Sequence, residues 1–99
     1  MYTSIRRYEI DPKNVDELVR RVESGFIPII SKAPGFASYA IIDAGNGVVA
    51  SMSTFQDQAG AEESNRMAAD WVKESLAGIL PTPPLVTAGE IRFTFPKWG

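Results

Sequence analysis

Asn46-Gly47 lies between two runs of β-branched and aromatic residues, FASYAIID at 36–43 and VVASMSTF at Val48–Phe55. Asn-Gly favours the primed turns whose twist matches two antiparallel strands. The pair therefore predicts a tight hairpin in the middle of the chain, and a central hairpin restricts every element around it. Before it, YTSIRRYEI reads as a first strand that stops at the Asp11-Pro12 turn. NVDE then opens a helix, with Asn14 as the cap and Glu17 placed for a capping box. Val15, Leu18, Val19, Val22, Phe26, Ile29 and Ile30 recur on one helical face. Pro28 should kink this helix, because its ring displaces a backbone bond, and its place on the polar side lets the helix bend around the core. APG at 33–35 ends it.

After the hairpin, the pattern predicts a second helix over 59–80, stopped by PTPP. A fourth strand follows over 85–95, LVTAGEIRFTF. The order strand, helix, strand, strand, helix, strand is that of an α+β ferredoxin-like βαββαβ domain spanning 1–99. Both helices must then cover one face of a four-stranded antiparallel sheet.

The strands do not alternate cleanly between apolar and polar residues. Tyr39 and Ile41 oppose Phe36, Ala40 and Ile42; Val48, Ala50 and Met52 oppose Val49 and Phe55. Two helices cover only one face, and a large bare apolar face is rare. The expectation is a homodimer packed sheet to sheet, against the alternative that these residues express strand propensity alone.

Composition removes several chemistries. The 99 residues include no cysteine and no histidine. Disulfides, thiolate sites and thiol nucleophiles are excluded, along with the commonest general base and the usual haem ligand. No carboxylates have loop-type spacing for a hard cation, so no metal and no cofactor is expected. A net charge of -2 without a basic stripe argues against nucleic acid. No apolar run is long enough to span a membrane, two arginines interrupt the N-terminus as a signal peptide, and a cytoplasmic protein is expected.

The KAPGF step into the second strand, then STFQDQAGAEESNRMAADWV and LPTPPLVTAGEI, resembles the antibiotic biosynthesis monooxygenase family of the dimeric α+β barrel superfamily. The resemblance covers nearly the whole chain. It implies a sheet-to-sheet dimer with a pocket between sheet and helices in each protomer. Members of that family include cofactor-free oxygenases of aromatic phenols, haem-degrading enzymes and proteins without demonstrated activity. The haem branch needs a histidine that this chain lacks. The cofactor-free pattern uses asparagine and tryptophan with tyrosine and arginine; Asn65, Trp71, Tyr39 and Arg92 are those residue types, though the spacing from Asn65 to Trp71 does not clearly match.

Asn65, Tyr39 and Arg92 are thus the candidate catalytic residues, and Trp71, Phe26 and Arg6 the candidate substrate-binding ones. Asn65 falls on the buried arc of its helix with Ala61, Ala68 and Val72, so its amide either satisfies local backbone or meets a ligand oxygen. Trp71 either walls a cavity or packs on the first helix. Tyr39 and Arg92 depend on strand parity. One of Arg6 and Arg7 should be enclosed, paired with Glu90 or Asp43 or holding a substrate anion. Trp98 is placed to cap the sheet edge or reach a partner. Two functions stand open: a cofactor-independent oxygenase of a small phenol or quinol, and a non-catalytic dimeric binding or stress-associated protein.

Overall fold

β1 (Tyr2–Glu9) runs through the sheet's interior, hydrogen-bonded on both sides to antiparallel neighbours. The computed structural model describes residues 1–80 and 82–96. Trp98 lies outside the described residues. β2 (Phe36–Gly45) and β3 (Val48–Phe55) form the expected hairpin, and β4 (Leu85–Glu90) flanks β1. The strand order β2-β3-β1-β4 is ferredoxin-like, with the helices on one face. At the hairpin tip Gly45, Asn46 and Gly47 all have positive φ, the conformation for which Asn and Gly are suited.

The first helical layer is one rod with three parts. α1 (Val15–Arg21) passes into a π-helical turn (Val22–Phe26) and then α2 (Ile27–Ile30). Pro28 opens α2 instead of kinking an α-helix. The π turn immediately before it absorbs the change in backbone bonding that proline demands. That wider turn also retards the helical phase. Ile30 therefore points inward, 1% exposed, while Ile29 turns out at 46%, against the expectation that both face the core. Asn14 makes no side-chain cap. Asp11 Oδ1 accepts from the Lys13 amide at 3.1 Å, which starts a 3-10 turn ahead of α1, and Glu17 pairs with Arg20 and Arg21 instead of reaching back.

α3 (Gln58–Ser75) begins at Asp57, whose Oδ1 accepts from the Gly60 amide at 2.8 Å. It ends five residues before the expected stop. Gly78 weakens the next turn, and Leu80 precedes a proline, which disfavours the α conformation. Leu76, Ile79 and Leu80 still fold back into the core. β4 is likewise shorter than expected. It pairs only with β1, and that register reaches the first residue of β1 at Tyr2↔Glu90. Phe93 and Phe95 consequently lie outside any ladder and are exposed.

Parity follows from the registers. Ser4, Arg6 and Tyr8 of β1, with Val49, Ser51, Ser53 and Phe55 of β3, face the helices. Ile5, Ala40, Ile42, Ala50 and Met52 share the opposite face, which nothing among the described residues covers. Among the described residues no helix is long and apolar enough to cross a membrane.

Candidate functional site

Between sheet and helices lies a cleft with two chemically distinct ends. The wide end is apolar, walled by Leu18, Val22, Phe26, Ile30 and Trp71. Phe26 comes from the π turn and stacks tilted on Trp71 at 5.4 Å and edge-on to Tyr39 at 5.9 Å. Trp71 reaches this wall over Gly25, where a Cβ would stand only 3.0 Å from its Cζ2. The tryptophan therefore does both things expected of it: it packs on the first helical layer and walls the cavity. The cleft is narrow, with about 30 Å³ of free volume inside it. It is a slot walled by aromatic rings.

The other end is polar, and Arg6 dominates it. Strand parity turns Arg6 inward at 7% exposure and leaves Arg7 outside beside Glu9, 3.6 Å away. Neither expected carboxylate reaches Arg6. Glu90 pairs with the N-terminal amine, and Asp43 Oδ1 accepts from the Gly45 amide. Arg6 Nη1 instead donates to Asn65 Oδ1 at 2.9 Å and to the Asn65 backbone carbonyl at 3.2 Å. Its Nε donates to Tyr8 Oη at 3.1 Å. Among the described residues no carboxylate lies in ion-pair range of this guanidinium. Burying a cation is costly unless it is paired, and among the described residues only neutral groups accept from this one.

Asn65 accounts for its irregular place on α3 here. Its Oδ1 accepts from Arg6 and from Ser4 Oγ at 2.7 Å. Two donors on one atom identify that atom as the oxygen. Asn65 does not itself line the cleft; it positions Arg6, which does. Arg92 is exposed beyond the end of β4 and takes no part in this arrangement. The structure thus brings Arg6, Tyr39, Phe26 and Trp71 onto one cavity, with Asn65 behind it. It adds Tyr8 and Ser4, and Ser51, which the sequence marks only as a strand serine with no base placed to activate it. The signal was the alternation Ser4-Arg6-Tyr8-Ile10, whose last member belongs in a core and so places the other three on the covered face.

Tyr39 sits at the junction of the two ends. Burial raises its phenol above the usual value of 10.0, and the nearby Tyr8 phenol adds to this; a hydrogen bond from Ser51 and the charge of Arg6 act the other way. At neutral pH Tyr39 is therefore a hydrogen-bond donor and not a base. The raised value carries a stability consequence. The folded state keeps its proton where the unfolded chain loses it, so stability is undiminished below pH 10.0 and falls as pH rises from there through the folded value. Urea midpoints between pH 8 and 11 should show this fall, and Tyr39→Phe should flatten it; an unchanged slope in the variant would contradict the burial argument.

No family model matches the chain, and a search of characterised proteins finds no match. Solved structures do match its fold. A protein of unknown function from Nitrosomonas europaea, NE2512, superposes with a TM-score of 0.78 at 20% identity, over 99% of this chain and 95% of that one. The ActVA-Orf6 monooxygenase of Streptomyces coelicolor, solved with nanaomycin D, gives 0.76 at 18% identity, over 98% and 92%. SnoaB, a cofactor-independent oxygenase from Streptomyces nogalater, gives 0.68 at 12% identity, over 97% of each chain. The chain has the fold of the antibiotic biosynthesis monooxygenase-like proteins.

Proposed function

We propose that this chain is a cofactor-independent monooxygenase of a small phenolic or quinol-type aromatic, working as a homodimer. The observation that carries the reading is Arg6: a buried cation, held by neutral groups, at the polar end of an aromatic slot. An ionised ring oxygen is the ligand such a charge suits. Tyr8 supports it, because its oxygen accepts from Arg6 and its own proton remains free to be donated. Tyr39 supplies a second phenolic donor. These fixed donors form a site for developing oxyanion charge in a dry environment.

The chain has no histidine, and among the described residues no carboxylate lines the cleft. Deprotonation then relies on the guanidinium, which lowers the pKa of the bound phenol and lets its proton leave to water at the mouth. The ionised ring is electron-rich enough to reduce oxygen itself. For an anthrone the balance is one ring CH2 and one O2 giving one ring carbonyl and one water, with all four electrons from the substrate. The two oxygenases of like fold support this class of reaction.

The uncovered sheet face supports the dimer. Ile42 and Leu85 are 49% and 68% exposed there, beside Ile5, Ala50 and Met52. An exposed apolar face of this kind, broken only by Arg7 between Ala50 and Leu85 among these positions, is a place for a second copy. The slot's narrowness favours a second reading, a non-catalytic dimer that holds a small metabolite. Oxygen-electrode assays over a panel of anthrones and hydroquinones separate the two. The expected result is uptake above autoxidation; bound ligand without uptake would leave only the second reading. Light scattering at micromolar concentration should report a dimer, and a monomer would remove that part of the proposal.

A further inference from the structure

We propose that the ligand carries a second acidic group, and that Lys73 holds it in a groove outside the cleft. This rests on the aromatic-ligand reading above. The observation behind it is that two cavities share one wall. Arg6, Tyr8, Val72 and Leu80 line both the aromatic cleft and an outer groove between α3 and residues 82–84. The groove is much the roomier of the two, with about 300 Å³ free to the centre of a water molecule.

Charge along this path has one sign. Neither lining contains Asp or Glu, while the groove adds Lys73 to the Arg6 already shared. Lys73 makes no ion pair among the described residues. Arg6 Nη2 makes no hydrogen bond among them either. No buried side-chain nitrogen there lacks a partner, so this end of the guanidinium opens onto accessible space. Two cations without carboxylate partners, Arg6 lining both cavities and Lys73 lining the groove, suit a ligand with two negative groups. The ring oxygen lies at Arg6 in the slot, and a carboxylate substituent on the same ring projects into the groove towards Lys73. Thr82, which also lines the groove, adds a hydroxyl donor. A neutral substituent would leave Lys73 without a partner, and a cationic one would be repelled by both charges. The substrate class is thus an aromatic acid.

The test is anaerobic titration, read by tryptophan fluorescence, with three probes: 1,8-dihydroxyanthrone, its 3-carboxylic acid and the methyl ester of that acid. The acid should bind about fivefold more tightly than the ester, as for one partly exposed ion pair. The preference should fade as NaCl is raised. Lys73→Gln should bring acid and ester to the same affinity, and Lys73→Arg should keep them apart. Equal affinities in the wild type, or a preference that survives Lys73→Gln, would overturn the proposal. Should the parent anthrone bind while acid and ester do not differ, only the acidic-group inference falls. Should none of the three bind, the aromatic-ligand reading falls with it.

Discussion

Arg6→Met is expected to lower oxygen uptake on an anthrone by about 10²–10³-fold, the usual cost of removing one donor from a preorganised oxyanion site. Methionine fills similar space and removes a buried charge whose desolvation is unfavourable, so the fold should survive. Asn65 Oδ1 keeps the Ser4 hydroxyl as a donor after the change. Tyr8 loses its partner on Nε but keeps its own proton to donate. The rate against pH distinguishes an electrostatic role from a packing one. With Arg6 present, the bound phenol ionises at a lower pH than the free phenol. In Arg6→Met the rising limb should move up towards the free value, as the guanidinium no longer stabilises the phenolate. Arg6→Lys should keep part of this shift, since it restores the charge but not the fork that bonds Tyr8 and Asn65 together. Loss of rate with no movement of the limb would mean that Arg6 only holds the cleft in shape.

Much of this arrangement was readable before any coordinates. The Asn46-Gly47 turn and two helix-strand units are local signals, and they specify the ferredoxin-like order. The uncovered sheet face was visible in the same way, from strands that are apolar on both sides. What was not readable depends on phase. Arg6 and Arg7 are adjacent, and only a register fixed by β3 says which is enclosed. Ile29 and Ile30 look alike on a regular wheel, and a π turn of five residues decides between them. Asn65 illustrates the limit best. Its place on the buried arc was correct, but its partners come from β1, about sixty residues earlier, and no helix pattern carries that information. Arg92 is a candidate by residue type alone; its position past the last ladder pair follows from the register of β4 with β1, which is a tertiary fact.

Gly47→Ala should be the most destabilising single-methyl addition in the hairpin, with a loss of about 2–5 kcal/mol. Two independent costs meet at this residue. Its φ of +80 is in the left-handed region, where a Cβ costs about 1–2 kcal/mol. The added Cβ would also stand 2.0 Å from the Ile10 carbonyl oxygen, so backbone has to move, at about 1–3 kcal/mol. The contact joins the hairpin tip to the exit of β1, and the Ile10 amide donates to the Gly47 carbonyl at 2.8 Å in the same place. Gly45 supplies the control. Its φ is +87, yet a Cβ there meets nothing within 4 Å. Gly45→Ala should therefore show the backbone cost alone. In urea the Gly47 variant should unfold at a midpoint lower by about 1 M or more, given slopes of about 1–3 kcal/mol per molar. The Gly45 variant should lose about half as much or less. Equal losses would mean that the close approach to Ile10 contributes nothing and that only turn conformation matters. Unequal losses in the expected order would assign the difference to the link between the hairpin and β1, the strand that carries Ser4, Arg6 and Tyr8 into the cleft.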